Sequence, residues 1–167
     1  MYGSNKFDAK VGQRLYTEAG TSREHENSTD AADLATYTIP ADTLSVGDIV
    51  RIKVFATVID SNSTDTLTPI LKFGGTAIAT GANLAVADDD IVYAWADVHV
   101  TATGSSGTMT AISELRTDAL GATVIIGQTA LTSMDTTGTL QVVLNVDWSG
   151  AHADNEVRID AASVELV

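Results

Sequence analysis

From residue 48 to residue 60 the side chains alternate without a break. Val50, Ile52, Val54, Ala56 and Val58 fall on one side, and Arg51, Lys53, Phe55 and Thr57 on the other. A period of two marks a strand with one buried face, whereas an amphipathic helix repeats every ~3.6 residues. The alternation returns over residues 92–101, where Val92, Ala94, Ala96, Val98 and Val100 oppose Tyr93, Trp95, Asp97 and His99. It returns again over 139–148, with Leu140, Val142, Leu144, Val146 and Trp148 in phase. Val50, Ile52, Val54, Val98, Val142, Leu144 and Val146 are therefore the expected core.

Further strands are read at 35–39, 66–73, 76–80, 109–117, 123–129 and 156–167. Turn signals separate them: Val46-Gly47-Asp48, Gly74-Gly75 and the run from Gly104 to Gly107. Pro69 inside one strand points to an edge or a bulge, because proline cannot donate to a ladder. A phase slip near Ala161-Ala162 points to a second bulge. With 23 threonines, 23 alanines and 5% aromatic residues, the core must come from Val, Ile, Leu and Ala. The reading is all-β: a jelly-roll-like antiparallel β-sandwich of about eight strands over residues 34–167. Residues 1–33 hold four of the nine basic residues, six acids and no lasting apolar period, and read as an N-terminal extended arm.

The chain carries a net charge of −13, a field that repels phosphate backbones, so no nucleic-acid partner is expected. Cysteine is absent, which excludes disulfides, thiolate metal sites and cysteine nucleophiles. The first residues lack the apolar core of a signal peptide, and no run approaches the ~18 apolar residues of a membrane span. The expectation is a soluble protein made in the cytoplasm, without a membrane partner.

Catalytic patterns are not found. The histidines are His25, His99 and His152, with no Gly-x-Ser-x-Gly elbow to partner one. Of six glutamates, three lie in the arm, and the aspartates sit in turns, where Asp is ordinary turn chemistry. Asp88-Asp89-Asp90 is the sharpest charge feature, but it lacks the alternate spacing of a calcium loop and reads as a solvated connection. No catalytic residue, metal site or cofactor is assigned. Tyr93 and Trp95, together on one strand face, are the candidate ligand platform.

Several segments resemble virion surface modules of tailed bacteriophages, the head decoration, head fibre and tail fibre proteins with jelly-roll-like folds. They are Tyr37-Thr38-Ile39-Pro40-Ala41-Asp42-Thr43-Leu44, Val46-Gly47-Asp48-Ile49-Val50-Arg51-Ile52 and Leu71-Lys72-Phe73-Gly74-Gly75-Thr76. Asp135-Thr136-Thr137 and Trp148-Ser149-Gly150-Ala151, with Asn155 and Val157, continue the series. The resemblance covers roughly residues 35–167 by order of features, and it transfers no catalytic residues. It implies a non-enzymatic capsid decoration, or cement, protein on the virion surface that stabilises the head shell as a homotrimer or other cyclic oligomer. Its partner would be the major capsid protein or another virion protein. The arm would supply part of the anchor through Tyr2, Lys6, Phe7, Lys10, Val11, Arg14, Leu15 and Tyr16. A receptor- or carbohydrate-binding module of a fibre or tail, using Tyr93 and Trp95, is the alternative expectation.

Overall fold

The computed structural model describes residues 14–19, 24–62, 64–118 and 124–167. Among the described residues there are twelve strands and no helix. They are β1 (Arg14–Ala19), β2 (Glu24–Glu26), β3 (Ala32–Ile39), β4 (Ile49–Asp60), β5 (Thr66–Phe73) and β6 (Thr76–Thr80). Then come β7 (Leu84–Ala85), β8 (Ile91–Ala102), β9 (Gly107–Thr117), β10 (Val124–Met134), β11 (Leu140–Trp148) and β12 (Glu156–Leu166). Two antiparallel sheets face each other as a sandwich. The larger runs β1-β12-β4-β8-β9-β10 with β2 also on β12, and the smaller runs β3-β11-β5-β6 with β7 on β5. β4 pairs directly with β8, and β11 lies between β3 and β5.

The alternating strands turn their apolar sides into the gap between the sheets. All seven expected core positions are buried: Val50, Ile52 and Val98 at 0% exposure, Val54, Val142, Leu144 and Val146 at 4% or less. Leu67, Leu71 and Phe73 of the smaller sheet are fully buried opposite them. Small residues such as Ala94 and Ala96 of β8 fill the remaining layer. Trp148 is part of this core at 1% exposure.

Three local readings are resolved by the pairing. The slip at Ala161 is a bulge: the β12–β4 register shifts between Ile159 and Ala161. Pro69 lies in an interior strand, not on an edge. Its carbonyl accepts from Gly81 N–H at 2.9 Å, in the break between β6 and β7. N–H and C=O of one strand residue point the same way, so the missing donor faces that break and disrupts no ladder. Gly47, at φ +95, completes the turn before β4, where Asp48 Oδ2 accepts from Ser45 N–H at 2.8 Å.

The arm requires revision. Part of residues 1–33 belongs to the larger sheet: β1 pairs with β12 from Arg14↔Glu165 to Ala19↔Ala161, and β2 pairs with β12 at its other end. These strands escaped the sequence reading because their ladder partner lies some 140 residues downstream in the chain, so backbone pairing rather than apolar period holds them. His25, read as a polar-arm residue, is buried at 7% exposure beside Val157. β7, only two residues long, was also missed.

Candidate functional site

The outward side of the larger sheet carries a cross-strand array set by register. Phe55 of β4 stands opposite Tyr93 of β8, which stands opposite Arg116 of β9. The next row is Ser163, Lys53, Trp95, Glu114 and Ile126, and the next Glu165, Arg51, Asp97, Ile112 and Gln128. Apolar groups that a solvated face would normally replace are exposed here: Phe55 at 41%, Ile91 at 43%, Ile112 at 42% and Ile126 at 74%. Four large apolar side chains exposed on one sheet face, among charged neighbours, make it a candidate contact region.

Charge is partitioned in the same way. Of the five bases in residues 34–167, Arg51, Lys53, Arg116 and Arg158 lie on this face, with Asp97, Glu114, Glu156, Asp160 and Glu165 beside them. The rest of the body keeps Lys72 against eleven acids, sixteen less these five. The outer face is thus close to charge balance and carries exposed apolar side chains, and the remaining surface is strongly acidic.

The polar groups of the face are fixed in place. Arg51 forks onto Asp97, Nε to Oδ1 at 2.9 Å and Nη2 to Oδ2 at 2.8 Å. This hydrogen-bonded partner, and then its charge, hold the Arg51 guanidinium above its usual range. Thr57 donates to Asp160, and Arg158 reaches the same carboxylate at 3.4 Å. The Arg116 guanidinium sits 4.9 Å from the Tyr93 ring centroid, and the Phe55 ring packs against Tyr93 at 4.7 Å, tilted by 43°. Burial, and then the Glu114 carboxylate, push the Tyr93 phenol up, with Arg116 opposing them.

Tyr93 and Trp95 are therefore brought together, as expected, but as part of a wider array. Both are half-buried, and Tyr93 is already engaged by a cation and a second ring. A sugar-stacking platform needs a bare ring face. The array instead has the aromatic and arginine composition of protein contact surfaces. The sequence reading missed Phe55, Ile112, Ile126 and Arg116 as members. Phe55 was visible on the polar side of its strand, a signal in hindsight, whereas the others needed the strand order.

Among the arm candidates, Arg14, Leu15 and Tyr16 lie in β1, whose backbone pairs with β12. Tyr2, Lys6, Phe7, Lys10 and Val11 lie outside the described residues. Asp90 closes its own turn, Oδ2 accepting from Ala87 N–H at 2.6 Å, and Asp88 ties that turn to the loop after β4, Oδ1 accepting from Ser61 N–H at 2.9 Å. No group of three or more acidic or histidine side chains is placed to hold a metal ion among the described residues. No helix among them is long and apolar enough to cross a membrane.

An open cleft of about 510 Å³ lies at one end of the sandwich, lined by Gly74, Gly75, Ser133 to Asp135 and Gly138 to Gln141. Its one ionisable group, Asp135, is closed on its own turn, accepting from Thr137 Oγ1 at 2.6 Å and Thr137 N–H at 3.0 Å. Those bonds hold the carboxyl below the usual aspartate range. Nothing in the cleft converges on a ligand.

Comparison with protein-family models, with curated proteins and with solved structures finds no match to this chain.

Proposed function

We infer that this chain is a non-enzymatic structural protein of a tailed-phage virion, a decoration protein that docks on a protein shell through the outer face of its larger sheet. The observation that carries the docking surface is the partition of that sheet: an aromatic-rich array close to charge balance, with exposed apolar side chains, on a body whose other surfaces are acidic. Such a face offers aromatic and apolar contact with little net like-charge repulsion, while the acidic remainder disfavours unspecific contact. The virion assignment rests on the resemblance of residues 35–167 to phage surface modules. The major capsid protein is the proposed partner, and a cyclic oligomer the proposed form, since repeated weak contacts gain by avidity.

Deleting residues 1–33 would strip β12 of both β1 and β2, so the arm is tested by removing residues 1–13 alone. The docking surface is tested by Phe55→Glu combined with Ile112→Glu, both at exposed positions. Circular dichroism should be unchanged, and co-sedimentation with the parent particle should fall by about tenfold or more. Undiminished occupancy of the particle by the double variant would remove this face from the proposal.

A further inference from the structure

We propose that β10 is a self-association edge: two copies of this chain pair β10 with β10 in antiparallel register and extend the larger sheet through a two-fold axis. β10 ends the sheet, and β9 is its one strand partner among the described residues, with Ile78 of β6 in the other sheet close to Gly127, so its outer row of N–H and C=O groups has no ladder partner there. Proteins usually blunt such an edge with charge, proline or shortness. The other terminal strands follow that rule: β1 carries Arg14 and Glu18, β3 carries Asp33, β6 has five residues and β7 two. β10 has eleven residues with no charged side chain and no proline. Its register with β9 is regular from Val124 to Leu131, and the irregularity before Met134 leaves that stretch intact.

Charge selects the occupant. Two-fold antiparallel pairing sets a strand against itself, so a charged side chain close to the axis meets its own copy. An uncharged strand avoids that repulsion, and β10 is long and uncharged. The acidic bodies repel each other across most of their surface, so copies can meet only where charge is absent or balanced. β10 meets that condition, carries the exposed Ile126 and borders the exposed Ile112 of β9, which widens the contact beyond one strand. The β10 ladder itself would form through backbone groups, whereas Ile112 and Ile126 are shared with the outer face.

The test is analytical ultracentrifugation of the full chain over a concentration series at low and high salt. A dimer is expected whose fraction rises with salt, because screening weakens repulsion between the acidic bodies. Gln128→Lys with Ala130→Lys, at two exposed edge positions, lowers the net negative charge. Charge alone would then favour association, yet this variant should be monomeric with an unchanged circular dichroism spectrum. A wild-type chain that stays monomeric throughout, dissociates as salt rises, or associates equally well with both lysines overturns the proposal. Position is read independently in the naturally cysteine-free chain. Single cysteines at residues 126 to 130 should include one that forms a disulfide-linked dimer about tenfold faster than Thr137→Cys in an exposed turn. Equal rates at 137 would place the contact elsewhere.

Discussion

The Asn155 side-chain amide donates to Asp65 Oδ2 at 2.8 Å, joining loops ninety positions apart in the sequence. The same amide donates to the Gly150 carbonyl at 2.8 Å, and Asn155 Oδ1 accepts from Asn62 N–H at 2.9 Å. Asn155 is fully buried. One side chain therefore satisfies three groups from the loops that follow β4 and β11, which explains why the Trp148-Ser149-Gly150 turn and Asn155 occur as a set.

Asn155→Ala should destabilise the fold by about 2–4 kcal/mol, because several buried polar groups lose their partner together. Urea denaturation measures this. Asn155→Asp should also be destabilising at neutral pH, by placing a second carboxylate beside Asp65, and should recover in part as acid neutralises the pair. A loss independent of pH would mean that shape, not charge, sets the cost.

Gly150 lies against the same carboxylate. A Cβ there would stand 2.5 Å from Asp65 Oδ1, closer than real contacts permit. Asp65 is held by Asn155 and cannot swing away freely. Gly150→Ala should cost about 1–3 kcal/mol by thermal or chemical denaturation. Asp65→Ala in the same chain should relieve the clash, so the two changes together should cost less than the sum of each alone.

Burial of alternate β4 residues predicts alternate sensitivity. Ile52→Ala, and Leu144→Ala in β11, should each cost about 2–5 kcal/mol, since Ile52 is 0% and Leu144 1% exposed. Lys53→Ala, on the outer side, should cost under ~0.5 kcal/mol. Equal costs at 52 and 53 would contradict the burial pattern.

Asp135 has a depressed carboxyl pKa through its bonds from Thr137 and Gly138. A group whose folded value lies below its unfolded value contributes stability above the unfolded value, and that contribution is lost as pH falls through the folded value. Thr137→Val removes the hydroxyl donor. The variant should therefore be less stable than wild type at neutral pH, and the gap should close on the acid side of the carboxylate range. Melting curves across pH 2 to 7, about the range in which carboxylates titrate, provide the check.

Arg51 and Asp97 form a two-bond fork with side-chain exposures of 34% and 13%. Partial solvation limits its worth, and the paired geometry raises it above an ordinary surface pair. A double-mutant cycle with Arg51→Met and Asp97→Asn should give a coupling of about 1 kcal/mol. A coupling near zero at low salt would show that the pair orders the face without stabilising it.

Much of the candidate site was legible one strand at a time. Tyr93 and Trp95 stand out because aromatic side chains on the outward phase of an alternating strand are unusual. Phe55 and Arg116 have the same phase, but only lateral pairing shows that they meet Tyr93. Sequence spacing does not show that β4 neighbours β8, since β5, β6 and β7 lie between them in the chain, whereas β8 and β9 are consecutive. The open edge of β10 was hidden for the same reason: an uncharged strand is unremarkable until strand order puts it at the margin.

By itself the sequence determined the all-β class, the strand phases, the buried set that includes Ile52 and Leu144, and the bulge near Ala161. Each follows from local periodicity, because side chains one position apart on a strand must face opposite ways. Tertiary structure alone decided that β1 and β2 join β12, that Pro69 sits at a break beside an interior strand, and that four bases gather on one face. Those outcomes depend on hydrogen bonds between distant strands. Their register is fixed by packing the whole sandwich at once rather than by any segment's own pattern.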